Sequence, residues 1–488
     1  MLELTTFVAG ASIMAIEIVA SRILAPFLGN SIVVWSSLIG VILMALSYGY
    51  LQGGVLADRN PSVANLSGIL AAAAVLTACI AVGKNACLTG VSHIPDIRVS
   101  AILAEVVLFA PVSFVLAMVS PYVVRLKVKE MGSTGATVGR LYALSTLGSI
   151  VGTFGAGFYL LAVIGSTAIL FCICGILFLA SFLLSITAFR TARIAAVGIT
   201  ALCLYLTPRT SVPFIAGKHV FETDSHYNHW LVYEASDTGT KRPIRSLVTD
   251  RFARQSSVFT DGGNDLVLEY LRYFRMGNHF HPDARRTLLL GGGAFTYVGD
   301  FFRRNPGQSL DVVELDPALP GIAGRYFGLT PHTGLRVFTE DARVYLNRCT
   351  QQYDIVYLDT FGSAVAVPHY LTTEETAHRI YDSLSPDGVV MLNLVSAIDG
   401  HWGQFFRAEF ATYRKVFPHV EVFKPDDRPG DFRNVLVAAF KSPAAPRLTS
   451  GDPEIQSYLS HRWTKPIEND MQTLTDDFAP VEVYLQSW

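Results

Sequence analysis

Three observations predict a multidomain fold class: an α-helical transmembrane bundle (residues 1–210), then a small β-element (211–260), then an α/β domain (261–488). First, charge is unevenly spread: of the 78 acidic and basic residues, 17 precede residue 211 and 61 follow it. Second, six apolar segments in the first part reach about 20 residues, the length that crosses a hydrocarbon core of roughly 30 Å. Third, short apolar strands alternate with amphipathic helices after residue 285, the pattern of a parallel sheet covered on both faces. A mean hydropathy of +0.37 reflects the first part rather than the whole chain.

The membrane elements come first. Segments 5–28, 32–56, 66–90, 99–124, 141–165 and 166–188 meet the length requirement. A seventh, Ile194–Leu206, is shorter, and either lies in the interface or spans with help from snorkelling Arg193 and Arg209. Arg59, then Arg125, Lys127, Lys129 and Arg140, then Arg190 and Arg193 fall on one side, against Arg22, Lys84 and Arg98 on the other. The basic side is the cytoplasmic one, which places the N-terminus inside. Six full spans keep the C-terminal part in the cytoplasm, whereas a full seventh would export it. The first apolar run has no basic stretch before it and does not read as a cleavable signal. Glu17, Arg22 and Glu105 sit within spans, where ionisable groups either lock helices together or serve a pathway or polar ligand. Glu17 and Arg22 are five positions apart and do not share a helix face. Gly148, Gly152 and Ala156 form a row of small residues that permits close helix contact.

Beyond the linker at Pro208–Pro213 the periodicity changes. HWLVYEA and RSLVTD read as strands of a small β-element. Strands of the α/β domain follow at 286–290 (RTLLL), 310–315 (LDVVEL), 336–340 (RVFTE), 353–359 (YDIVYLD) and 388–395 (GVVMLNLV). YVGDFFRR, ALPGIAGRYF, ARVYLNRC and TEETAHRIYDSL supply helices between them, and VEVFK and NVLVAAF close one sheet edge. Ligands of such sheets bind outside the carboxyl ends of the strands. At the first end stand Gly291, Gly292 and Gly293, which let backbone approach a ligand closely. At the second stands Glu314, able to accept from both hydroxyls of a ribose. Asp341 stands at the third, suited to an adenine amino group or to capping a helix, and Asp359 at the fourth. Together these point to a nucleoside site. A net charge of −2 gives no argument for nucleic acid, and six cysteines without a CxxC pattern give none for a metal.

These residues carry a family resemblance. The motifs LLLGGG, VVELDP, EDAR, YDIVYLDTFGSAVAVPHYLTTE, LSPDGVVMLN and TDDFAPVE, within residues 225–483, resemble the spermidine/spermine synthases, and the whole chain resembles their membrane-fused branch. The resemblance implies a methyltransferase-like Rossmann domain behind a small β-domain, in a homodimer. It also implies S-adenosylmethionine or its decarboxylated form as co-substrate, a small amine as acceptor, and no metal. Gly291, Gly292 and Gly293 would cradle that ligand, Glu314 would hold its ribose, Asp341 with Ala342 its adenine, and Asp359 would face the amine. Two departures stand out: Ala294 and Gly362 occupy positions where the synthases typically carry acids. The glutamine expected in the β-element is also displaced, with Gln255 one position out of step and Asn228 following Tyr227.

Transfer from a sulfonium needs an aligned, unprotonated amine and a group to take its proton. Asp359 is the first candidate. Tyr357, two residues earlier and on the same strand face, is expected to assist, and His369 in the PHY turn is a second candidate base. Asp476 and Asp477 either supply the missing amine-binding charge or form a solvated turn. The leading expectation is a membrane-embedded aminopropyltransferase-like enzyme; the alternatives are another sulfonium transfer or cleavage, or a polyamine or lipid transporter with a nucleoside-sensing domain.

Overall fold

The computed structural model describes residues 1–29, 31–91, 93–94, 96–128, 134–185, 190–206, 217–249, 254–360, 367–425 and 432–485. The Pro208–Pro213 linker and Gly362 therefore lie outside the described residues. The chain divides into two compact units, Met1–Ile215 with Thr223–His229, and Ala216–Glu222 with Trp230–Trp488.

Among the described residues of the first unit, six helices are long and apolar enough to cross a membrane, and the apolar stretch Ile194–Leu206 is shorter than these. The fourth segment departs from expectation. Instead of one helix over 99–124, the chain forms Ile97–Leu108, Ala110–Ala117 and Val119–Lys127, interrupted at Phe109 and Met118. Pro111 lies in the first turn of the middle piece and has no N–H for the carbonyl one turn back. The fifth helix starts at Thr134, earlier than expected, and runs to Gly155 before a π-helical turn at Ala156–Leu160. The change from the fifth to the sixth segment falls at Gly165, whose φ of +72° breaks the helix. The small-residue row brings backbone onto backbone: a Cβ on Gly148 would lie 2.1 Å from the Phe7 carbonyl oxygen, and one on Gly152 would lie 2.2 Å from that of Ala11. Glu105 is buried and accepts from Ser37 Oγ at 2.9 Å, joining two helices. Arg22 finds its partner in the His226 carbonyl, within the same unit.

Among the described residues the second unit holds two sheets, with only the end of the first strand and the start of the second falling in the first unit. The smaller has the order β1 (Lys218–Asp224), β2 (His229–Ser236), β3 (Pro243–Val248), β4 (Arg254–Phe259), so the two expected strands are β2 and β3. The larger contains β5 (Arg286–Leu290), β6 (Ser309–Glu314), β7 (Leu335–Thr339), β8 (Tyr353–Leu358), β9 (Leu384–Ser396), β10 (His419–Phe423) and β11 (Arg433–Phe440). Its order is β10-β11-β9-β8-β5-β6-β7, parallel from β9 to β7, with β11 and β10 added antiparallel. From β5 the chain first steps one way to β6 and β7 and then the other way to β8 and β9. The switch point lies between β5 and β8, the place at which sheets of this kind bind their ligands.

Continuous apolar runs make these strands because both faces are covered. Leu289, Ile355, Tyr357 and Met391 enter one core, whereas Leu288, Leu290, Val356, Leu358 and Leu392 enter the other. Helices Thr296–Arg304, Leu319–Tyr326, Ala342–Arg348 and Glu374–Ser383 occupy the expected intervals, and a further helix, Gln404–Val416, covers the second core. Strand β9 begins four residues before the expected start at 388.

The close contact between the first and fifth helices generates a prediction. Gly152→Leu should force the helices apart and destabilise the bundle by at least the roughly 1–3 kcal/mol typical of overpacking. Thermal unfolding of the detergent-solubilised protein reads this, and an unchanged midpoint would sink the packing argument.

Candidate active site

The glycine loop begins where β5 ends. Gly291 and Gly293 adopt φ of +89° and +51°, a region that glycine enters without a steric penalty. Space also excludes side chains here: a Cβ on Gly291 would lie 2.1 Å from the Asp359 carbonyl oxygen, and one on Gly293 would lie 2.8 Å from Ser256 Oγ. Glu314, at the end of β6 and 8% exposed, holds the loop. Its Oε2 accepts from the Gly292 and Gly293 amides at 2.8 and 2.9 Å, and its Oε1 accepts from the Asp316 amide at 3.0 Å. Burial raises the carboxyl's pKa, and the three amides oppose that rise. An ionised carboxylate has about four acceptor sites, so one remains for a ligand hydroxyl after these three bonds. Ala294 is fully buried, and its amide donates to Ser256 Oγ at 2.9 Å.

Asp341 serves as the N-cap of Ala342–Arg348, accepting from the Arg343 and Val344 amides at 2.8 and 3.1 Å. Its other oxygen accepts from the Tyr370 hydroxyl at 2.8 Å. Ala342 opens that helix and is buried. The capping role is therefore real, and it fixes this acid at the end of β7.

Asp359 follows β8, with its amide donating to the Leu290 carbonyl at 2.8 Å. Its Oδ2 accepts from the Tyr270 hydroxyl at 2.8 Å and its Oδ1 from Asn393 Nδ2 at 3.0 Å. Desolvation raises the carboxyl above its ordinary value of 3.8, and the Asn393 and Tyr270 hydrogen bonds counter it. Burial and the neighbouring Asp359 push the Tyr270 hydroxyl well up in turn, so this phenol is a donor rather than a base.

Several expected partners stand elsewhere. Tyr357 shares the strand face of Asp359 but lies deeper in the core, where it has no exposure. Its hydroxyl donates to the Phe274 carbonyl at 2.7 Å and its ring stacks on Phe274, so that hydroxyl is directed away from the carboxylate, which Tyr270 reaches instead. His369 opens the short turn His369–Leu371 and is exposed, and among the described residues no hydrogen bond joins it to Asp359. Asp476 accepts from Arg343 Nη2 at 2.6 Å and Thr373 Oγ1 at 2.7 Å, which commits its charge to fastening the chain segment after residue 370. Asp477 is exposed. Asn228 takes part in a turn with Ser225. Gln255 precedes Ser256, the residue that contacts the loop. Among the described residues no cluster of His, Cys, Asp or Glu could hold a metal ion.

A switch-point sheet with a tight glycine loop and an acid closing each of three successive strands defines the class: a methyltransferase-like Rossmann fold. No family model matches the chain. Over 291 residues it is 34% identical to a polyamine aminopropyltransferase of Vibrio vulnificus, covering 56% of this chain and 93% of that protein. A probable polyamine aminopropyl transferase of Bifidobacterium longum is 26% identical over 325 residues, covering 62% of this chain and 70% of the relative. The crystal structure of a probable spermidine synthase from Corynebacterium glutamicum matches with a TM-score of 0.41 at 22% identity, over 49% of this chain and 85% of the other. The chain belongs to the polyamine aminopropyltransferase family, and it is a transferase.

Two predictions follow from this geometry. Glu314→Ala removes the acceptor for a ribose and frees the loop amides, and should weaken binding of 5′-methylthioadenosine by about 1–3 kcal/mol. Calorimetry showing unchanged affinity in a folded variant would remove the assignment. For Asp359 as base, turnover requires the ionised form, so kcat/KM should be present above a raised pKa and be lost as pH falls through it. The acid limb should lie above 3.8, and Tyr270→Phe should move it further up, because a donor to the charged form is lost. An acid limb below 3.8, or one moved down by Tyr270→Phe, contradicts the assignment.

Proposed function

We propose that this transferase binds S-adenosylmethionine or its decarboxylated form in the glycine loop and transfers a group to an amine, the group being aminopropyl when the decarboxylated form is the donor. The observation that carries the reading is the row of Glu314, Asp341 and Asp359 at successive strand ends around that loop. Glu314 takes a ribose hydroxyl and Asp341 the adenine amino group, while Asp359 orients the acceptor. The amine nitrogen attacks the carbon next to sulfur, so a C–N bond forms as the C–S bond breaks. The thioether leaves with the bonding pair, and the nitrogen's proton passes to Asp359.

The acceptor is not an ordinary free diamine. Burying an ammonium without a carboxylate costs several kcal/mol. Beside Asp359, the position where the synthases typically carry the second acid for a diamine is Gly362, and the loop position where an acid would hold the donor's cationic tail is Ala294, a buried residue whose amide is capped by Ser256. The same feature favours a second reading, in which intact S-adenosylmethionine is the donor and a different group is transferred. The helical unit embeds the enzyme in the cell membrane with its transferase domain on the cytoplasmic side, where that metabolite is made, and the family resemblance adds a homodimer.

Purified full-length protein assayed with each sulfonium and with putrescine tests this reading. Putrescine should be a poor acceptor, and Asp359→Asn should abolish whatever turnover exists, because an amide cannot take up the proton. Efficient spermidine formation would refute the altered acceptor specificity; full activity of Asp359→Asn would remove the base. A reporter fused after Trp488 should be active only in the cytoplasm, and activity on the far side would overturn the topology.

A further inference from the structure

Asp359 is one end of a chain of polar side chains that crosses three strands. Asn393 Nδ2 donates to Asp359 Oδ1 at 3.0 Å, and Asn434 Nδ2 donates to Asn393 Oδ1 at 2.9 Å. The strand register explains how they meet. Asn393 pairs with Leu436 across β9 and β11, so Asn434, two positions before Leu436, lies diagonally beside Asn393 on the same face. That face also carries Tyr357 and Met391, whose side chains fill the core beneath. Strand β11 runs antiparallel, so its first residues lie at the sheet end where β8 and β9 finish. Asn393 is 3% exposed and sits in an otherwise apolar stretch, a position that polar side chains occupy only with partners.

The direction of this chain follows from chemistry. An ionised carboxylate only accepts, whereas a side-chain amide has a donor end and an acceptor end. The end of Asn393 facing an ionised Asp359 must therefore be its NH2, which turns its oxygen toward β11. Only a donor at position 434 completes that arrangement. We propose that Asn434 is a positioning residue: it holds the Asn393 amide in the one orientation that presents a donor to Asp359, leaving the carboxylate aimed at the acceptor amine. This rests on the assignment of Asp359 as the base. It extends the active site to a strand added antiparallel beyond β9.

Two substitutions separate this role from simple packing. Asn434→Asp keeps the shape but offers only acceptors when ionised, so it turns the Asn393 NH2 toward itself and its oxygen toward Asp359. Asn434→Ala removes the group and leaves Asn393 free to keep its orientation part of the time. A packing role ranks alanine as the more damaging; the positioning role ranks aspartate so. We expect kcat to fall about tenfold or more in Asn434→Asp, in line with losing a hydrogen bond to a charged group, and only a few-fold in Asn434→Ala. KM for the sulfonium and affinity for 5′-methylthioadenosine should be unchanged in both. A larger loss in alanine, or losses that follow the melting temperature, would overturn the proposal. If the wild type binds 5′-methylthioadenosine yet transfers to no amine, the functional reading fails separately. The amide chain is then read from the infrared carboxylate bands of Asp359, identified by their loss in Asp359→Asn. A shift in Asn434→Asp supports the chain, and unchanged bands refute it.

Discussion

The Glu314 carboxylate accepts the amides of Gly292 and Gly293 on one oxygen and that of Asp316 on the other. The turn after β5 is thereby tied to the end of β6, with two glycines in backbone conformations that other residues avoid. From this tie the rest of the site is spaced. Gly291 passes so close to the Asp359 carbonyl that a single methyl group would collide, which fixes the distance from the loop to the end of β8. Ser256 meets the loop from the smaller sheet through the Ala294 amide. The proposed nucleoside cradle and the proposed base are set by one backbone arrangement rather than by independent side chains.

Opposing forces act on each acid. Desolvation pushes the Glu314 and Asp359 carboxyls up, while the donors around them favour the charged form. A carboxylate balanced in this way is useful to a transferase, because it can bind a proton from an amine and release it again. Asp359 has donors on both oxygens, from Tyr270 and Asn393, and these restrict its orientation as well as its charge.

Strand periodicity and turn chemistry made much of this legible in the sequence. Apolar runs placed β5, β6, β7 and β8 to within a residue or two, and strand ends identified Glu314, Asp341 and Asp359 as a set. Parity along β8 also put Tyr357 on the face of Asp359. Parity does not reveal depth, however, and Tyr357 is one pleat too deep, bonded to the Phe274 carbonyl. The tyrosine that reaches the carboxylate, Tyr270, comes from a short helix 89 positions away, a separation at which no local pattern carries information. Asn393 did leave a signal, a lone amide in an apolar strand, whose meaning depends on a neighbour in β11. In the bundle, length and hydropathy located the long apolar helices, while Pro111 and the breaks at Phe109 and Met118 divided the fourth expected segment into three pieces.

The account's central claim is that the glycine loop, Glu314 and Asp341 form one nucleoside site. The most direct measurement is an experimental structure of the full chain with 5′-methylthioadenosine. A ribose hydroxyl should lie within hydrogen-bonding distance of Glu314, with the adenine amino group beside Asp341 and the sulfur directed toward Asp359. A nucleoside bound elsewhere, or one whose ribose does not touch Glu314, would contradict the account.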